Sequence, residues 1–110
     1  MSEKRLIDVE GLLVVRLNNK YLSSSIFEKI PYLKVLSVMY FSVEKIVEGN
    51  LNGALNLKYI YFNNNGITEL GNNIFKGASK IVQINLKLNR ISKISSRTFA
   101  QTHFGFKCFH

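Results

Sequence analysis

A single cysteine, Cys108, stands in the chain of 110 residues. No internal disulfide can form, and no Cys-rich zinc cluster can be built. The early apolar run Leu12-Leu13-Val14-Val15 is far too short to span a bilayer. Glu3, Asp8 and Glu10 interrupt the stretch that a secretory leader would keep apolar. There is no Asn-x-Ser/Thr sequon for a glycan, and no phosphate-binding loop, dinucleotide fingerprint, metalloprotease helix or nucleophile elbow. His103, Cys108 and His110 are the only histidines and thiol, all within the last eight residues. Cys108-x-His110 offers two metal ligands at most, where a site needs about four. A Cys–His nucleophilic pair would need an orienting third group that the sequence does not supply. No catalytic residue, metal site or cofactor is therefore expected, and the chain reads as non-enzymatic.

Acidic residues are absent from the C-terminal part. All seven lie at or before Glu69. Lys76, Lys80, Lys87, Arg90, Lys93, Arg97 and Lys107 follow without one. With Lys+Arg 15 against Asp+Glu 7, the net charge is +8. A one-sided basic half can meet nucleic acid or anionic lipid. These residues form no run and accompany no nucleic-acid motif, so a solvated surface is the preferred reading. Apolar residues make up 46% and charged residues 20%, which suits one globular domain with a modest core and excludes disorder.

What the chain does have is an internal repeat of 24 residues. Leu33, Leu57 and Ile81 coincide, as do Leu36, Ile60 and Ile84, then Val38, Phe62 and Leu86. Further along, Val43, Ile67 and Ile91 match, and so do Ile46, Leu70 and Ile94. Phe27, Phe75 and Phe99 share one step, with Leu51 between them, and Asn65 meets Asn89. Val9, Leu12 and Val14 open an earlier copy. Of 28 positions that should be apolar in four copies, only Asn19 and Thr102 fail. Composition alone would fill about 13.

Within a copy the order is Leu57-x-x-Ile60-x-Phe62-x-x-Asn65-x-Ile67, then Leu70, Phe75 and Ala78. This resembles the leucine-rich repeat in its 24-residue form, over about residues 9 to 102. The runs at 71–78 and 91–99 are similar to those of animal cell-surface or secreted repeat proteins, arthropod Toll-type receptors and secreted immune proteins among them. The resemblance implies an α/β solenoid of four repeats, 9–32, 33–56, 57–80 and 81–104, forming one domain over 1–110. Residues 105–110 would start a truncated repeat of a fragment. A concave parallel sheet and a convex side of irregular chain and short helical turns are expected.

Physical chemistry points the same way. Leu57, Ile60 and Phe62 cannot share one side of a long strand or a regular helix. A coil that turns them inward buries them only when neighbouring coils stack on both sides. Strands are expected near 11–15, 35–39, 59–62 and 83–87. Asn65 and Asn89 lie where the coil leaves its strand, and an amide can satisfy buried backbone groups of the adjacent coil. They read as structural, and the Phe27/Phe75/Phe99 ladder reads as core. Leu17 and Phe41 stand at the asparagine step in the first two copies and cannot make those bonds.

A binding surface remains. Side chains alternate along a strand, so the outward rows are Gly11, Val35, Tyr59, Gln83; Leu13, Ser37, Tyr61, Asn85; and Val15, Met39, Asn63, Lys87. Arg16, Tyr40, Asn64 and Leu88 form a fourth row nearer the edge. Tyrosines are frequent binding anchors. The expected partner site is therefore Val35, Ser37, Met39, Tyr59, Tyr61, Asn63, Gln83, Asn85 and Lys87, facing a protein ligand. The resemblance implies recognition in innate immunity or cell-surface adhesion, as part of a longer extracellular or cell-surface protein. An intracellular repeat scaffold is the alternative, cytoplasmic if the chain is complete. A basic module for nucleic acid or anionic lipid is the other, and less favoured. Uncapped ends would promote self-association. In the tail, strict phase puts Gly105 and Cys108 in the core, and a one-residue slip would put Phe106 and Phe109 there.

Overall fold

The computed structural model describes residues 3–9, 11–17, 22–39 and 43–110, with side chains described from Leu22 onward, Met39 excepted. Asn19, Tyr40 and Phe41 lie outside the described residues, as do the side chains of Leu13, Val15, Arg16, Leu17 and Met39.

Alternating apolar and polar residues build short strands one repeat apart. They are β2 (Leu12–Leu17), β3 (Val35–Met39), β5 (Tyr59–Tyr61), β7 (Gln83–Asn85) and β9 (Lys107–Phe109). With β1 (Glu3–Val9) they form a six-stranded sheet in the order β1-β2-β3-β5-β7-β9. From β2 to β9 the pairing is parallel, and from β3 onward its register follows the repeat: Val35 meets Tyr59, Tyr59 meets Gln83, and Gln83 meets Lys107. Between β2 and β3 it is one residue short of the repeat: Leu12 meets Val35, Leu13 meets Leu36 and Val14 meets Ser37. The expected rows that joined Gly11 to Val35, Leu13 to Ser37 and Val15 to Met39 are therefore corrected by one step, because the turn at Gly11 into the antiparallel β1 sets where β2 begins. Each strand entry hooks onto the coil before it. The N–H groups of Lys34 and Val35 donate to the Gly11 carbonyl, and those of Lys58 and Tyr59 donate to the Lys34 carbonyl. Val82 and Gln83 donate to the Lys58 carbonyl in the same way.

The strands differ in detail from the expected spans. The first reaches Leu17, while the third and fourth stop at Tyr61 and Asn85. The reason is a turn at the next step. Asn64 and Leu88 both have φ of 62°, which bends the chain out of the sheet. At the N-terminus, β1 runs antiparallel to β2 across a turn at Gly11, φ 84°. Val9, where the first copy was expected to open, sits on β1 opposite Leu12.

The other side is not limited to irregular chain and helical turns. A second parallel sheet stacks β4 (Lys45–Ile46), β6 (Glu69–Leu70) and β8 (Lys93–Ile94). Its rungs repeat the Ile46/Leu70/Ile94 step, because backbone held straight for two residues can pair with the coil above and below. Helix is confined among the described residues to α1 (Ser25–Lys29), which buries Ile26 and Phe27. It ends at Ile30, where the following Pro31 disfavours helical geometry.

Between the two sheets lies one core. Leu36, Ile60 and Ile84 close it from the larger sheet, and Ile46 and Leu70 from the smaller. Val38, Phe62 and Leu86 fill the next layer, with Phe27, Leu51 and Phe75 stacked at one end of each coil. Two expected core positions fail: Ile94 and Phe99 are exposed, since no described coil follows to cover them. The tail combines both phases. Cys108 pairs with Ile84 in strict register and is half-buried. Gly105 instead makes a left-handed turn, φ 89°, and Phe106 takes its place against the core. Phe109 is exposed.

Candidate binding face

Because Ile60 and Ile84 point into the core, their neighbours point to the opposite face of the sheet. Tyr59 is exposed there and Tyr61 half-buried. Val35 and Ser37 lie beside them on β3, and Gln83 and Asn85 on β7, all half-buried. Lys87 is exposed at the strand exit. Asn63 contributes less than an outward position promises, because its Oδ1 is buried and unpartnered. Asn85 turns its Oδ1 back to accept the Lys87 N–H at 3.0 Å. Of the nine residues expected on this face, Met39 is the one whose side chain is outside the described part.

The rows extend one strand beyond the nine residues expected on the face. Register places Lys107 beside Gln83 and Phe109 beside Asn85. The Lys87 ammonium lies 5.6 Å from the centre of the Phe109 ring, a cation–π approach worth about 0.5–1 kcal/mol at an exposed site. This is the truncated repeat expected at 105–110, and its strict phase, with Cys108 at the Ile84 step, sets Lys107 and Phe109 at the 83/85 step although the apolar positions fail at 102 and 105.

Leu88 is the most exposed of the large apolar residues around the face, at 77%, and it holds φ 62°. A left-handed conformation costs an ordinary side chain about 1–2 kcal/mol. Asn64, one period earlier, meets the same demand with a residue that tolerates it.

Behind the face, the asparagine ladder does what its position requires. Asn89 Oδ1 accepts the N–H groups of Asn65 and Ile67, each at 2.9 Å, and its Nδ2 donates to the Phe62 and Leu86 carbonyls. Asn65 Nδ2 donates to the Val38 carbonyl at 3.0 Å, but among the described residues its Oδ1 has no partner. Its rung is half made. Two further polar residues tie adjacent coils together at a step that is Ile26 and Ile74 elsewhere. Asn50 Nδ2 donates to the Leu22 carbonyl at 3.1 Å, and the buried Thr98 hydroxyl donates to the Gly71 carbonyl at 2.9 Å. Periodicity of apolar residues gives no hint of them, since a hydrogen-bonded amide substitutes for an aliphatic side chain without changing the fold.

The chemistry-bearing side chains do not converge. Among the described residues, no three of His, Cys, Asp and Glu are grouped to hold a metal. His103 Nε2 contacts the Ser79 carbonyl. Burial raises the Cys108 thiol above its ordinary value of 9.0, so it is protonated near neutrality.

A family model described as leucine rich repeat matches residues 55–103. This supports a leucine-rich repeat protein, a type that generally serves protein interaction. The parallel sheets with a 24-residue register fit its solenoid-like architecture. No curated protein matches the chain.

Proposed function

We propose that the chain is a non-enzymatic recognition module that binds a protein partner on the outward face of its six-stranded sheet. In this reading the face is the concave side of four repeats, 9–32, 33–56, 57–80 and 81–104, in one domain. One observation carries it. Tyr59 and Tyr61 stand on adjacent outward positions of the central strand β5, over a core they do not complete. Val35 and Ser37 lie on one side of them, and Gln83 and Asn85 on the other. An aromatic centre with a polar rim is the usual anatomy of a protein-binding patch.

The contact set is Val35, Ser37, Met39, Tyr59, Tyr61, Asn63, Gln83, Asn85 and Lys87. The resemblance of the 71–78 and 91–99 runs to secreted and receptor-borne repeats favours a cell-surface or extracellular setting, within a longer protein, in immunity or adhesion. Proteins retained on the immobilised wild-type chain should be lost from a Tyr59→Ala/Tyr61→Ala form. The expected weakening is about thirty-fold, or 2 kcal/mol, the hot-spot scale. A Lys76→Ala/Arg97→Ala form on the opposite side should retain them. The reverse pattern would overturn the reading in favour of a basic patch that takes nucleic acid or anionic lipid.

A further inference from the structure

The two sides of the molecule handle charge differently. Side chains are described for four acids, Glu28, Glu44, Glu48 and Glu69, and none stands on the outward face of the larger sheet. Glu69 belongs to β6, and Glu44 and Glu48 flank β4, so these three border the smaller sheet. They meet cations there. Lys45 Nζ lies 4.0 Å from Glu69 Oε1, and Lys76 Nζ lies 3.5 Å from Glu48 Oε2. Glu28 sits on α1, also away from the face.

On the larger sheet the described side chains show the reverse, the acids Glu3 and Asp8 of β1 being outside that set. Lys34 and Lys58 are exposed at the entrances of β3 and β5, stacked one coil apart. Lys87 and Lys107 are exposed at the other margin. Among the described residues, none of these four ammonium groups has a carboxylate within ion-pair distance. Between them stand Tyr59 and Tyr61, and at the rim the strained, exposed Leu88. Leu88 makes the same left-handed turn that Asn64 makes one coil earlier, and its apolar side chain is left in solvent beside the face.

We infer that the partner of this face is an acidic protein segment. Its carboxylates would lie against Lys58, Lys87 and Lys107, and its apolar or aromatic side chains would pack on Tyr59, Tyr61 and Leu88. The inference rests on the protein-binding reading of the same face and names the partner's chemistry. Unpaired ammonium groups around an aromatic centre attract carboxylates over several ångströms and steer their approach. The aromatic centre then adds contact area that a purely anionic polymer cannot use. This second requirement separates an acidic protein segment from nucleic acid.

A fluorescein-labelled random copolymer of glutamate and tyrosine provides a probe, with polyglutamate, a single-stranded oligonucleotide and phosphatidylserine vesicles as competitors. Anisotropy titration of the full chain should show saturable binding of the copolymer that weakens with added salt. Lys58→Gln/Lys87→Gln/Lys107→Gln should weaken it by about tenfold or more, because each lost ion contact removes part of the attraction. All three side chains are exposed, so circular dichroism should show an unchanged fold. Tyr59→Ala/Tyr61→Ala should weaken the copolymer but leave polyglutamate nearly unaffected. If the tyrosine pair matters and the lysine set does not, the binding face stands and the acidic partner is refuted. If neither matters, both are refuted. Tighter binding of the oligonucleotide or the vesicles than of the copolymer would also overturn the inference.

Discussion

The coil around residues 57–80 and the coil that follows it carry similar residues at equivalent steps, yet they differ in burial. Leu70 is 1% exposed, whereas Ile94 is 47% exposed. Phe75 is fully enclosed, and Phe99, one repeat on, is 37% exposed. The side chains are not at fault, because the same residue type appears at the same phase. An interior coil is covered on two sides, and the last described coil on one. The molecule adapts in part. Phe106 moves in where Gly105 has no side chain, and its ring lies 4.9 Å from that of Phe75 and 6.2 Å from that of Phe99. In a stacked fold, the neighbour supplies as much of a residue's environment as its own position does.

Substitutions at matched steps can break this contrast. The largest effect is expected from phenylalanine truncation. Phe75→Ala or Phe62→Ala should lose about 3–5 kcal/mol in urea unfolding, as for fully buried aromatics. Phe99→Ala should lose no more than about half of that, since part of its surface already meets water. Equal losses would show that the last coil is covered after all.

Next comes the backbone. A Cβ at Gly77 would lie 2.7 Å from the Leu51 carbonyl oxygen and 2.9 Å from the Asn52 Cα, with φ at 95°. Both obstacles are main chain of the preceding coil and cannot swing aside. Gly77→Ala should therefore lower stability by about 2–4 kcal/mol, combining overpacking with left-handed strain. Gly105 has φ of 89° but nothing within 4 Å of the same atom. Gly105→Ala should cost only the strain, about 1–2 kcal/mol. A neutral Gly77→Ala in thermal unfolding would contradict the close stacking of these coils.

The smallest contrast concerns the asparagine ladder. Asn89→Ala leaves the N–H groups of Asn65 and Ile67 without their acceptor, a loss of about 2–3 kcal/mol. In Asn65→Ala only donor contacts disappear among the described residues, where Asn65 Oδ1 accepts nothing. Its effect should be smaller by about 1 kcal/mol, readable as a smaller drop in Tm. Identical drops would mean that both rungs carry the same bonds.

Much of the architecture was legible beforehand. The phase that sends Ile60, Phe62, Ile84 and Leu86 inward follows from the alternation of neighbouring side chains, a local property. The same holds for Tyr59 and Tyr61 on the outer face and for Asn89 beneath it. The rung at Lys107 and Phe109 was legible in phase, since strict counting from Ile84 puts Cys108 inward, but the left-handed turn at Gly105 and the entry of Phe106 into the core were left open between two phases. Thr98 and Asn50 escaped notice because their value lies in carbonyls 27 and 28 residues away. The lysines around the face were visible as charges. Their lack of acidic neighbours among the described side chains was not, because Glu48 and Glu69 are assigned to the opposite side only when the coil closes.

From β3 onward the sequence by itself determined the period of the coil and which side chains each coil turns inward, since both follow from local geometry and apolar spacing; the one-residue shift between β2 and β3 was set by the fold. Only the tertiary structure decided the second sheet, the antiparallel strand at the N-terminal edge, the entry of Phe106 into the core and the exposure of Ile94. Each of these depends on what the adjacent coil presents. That is the physical reason: hydrogen-bond partners and excluded water are supplied across the stack, by residues a full turn away in the chain.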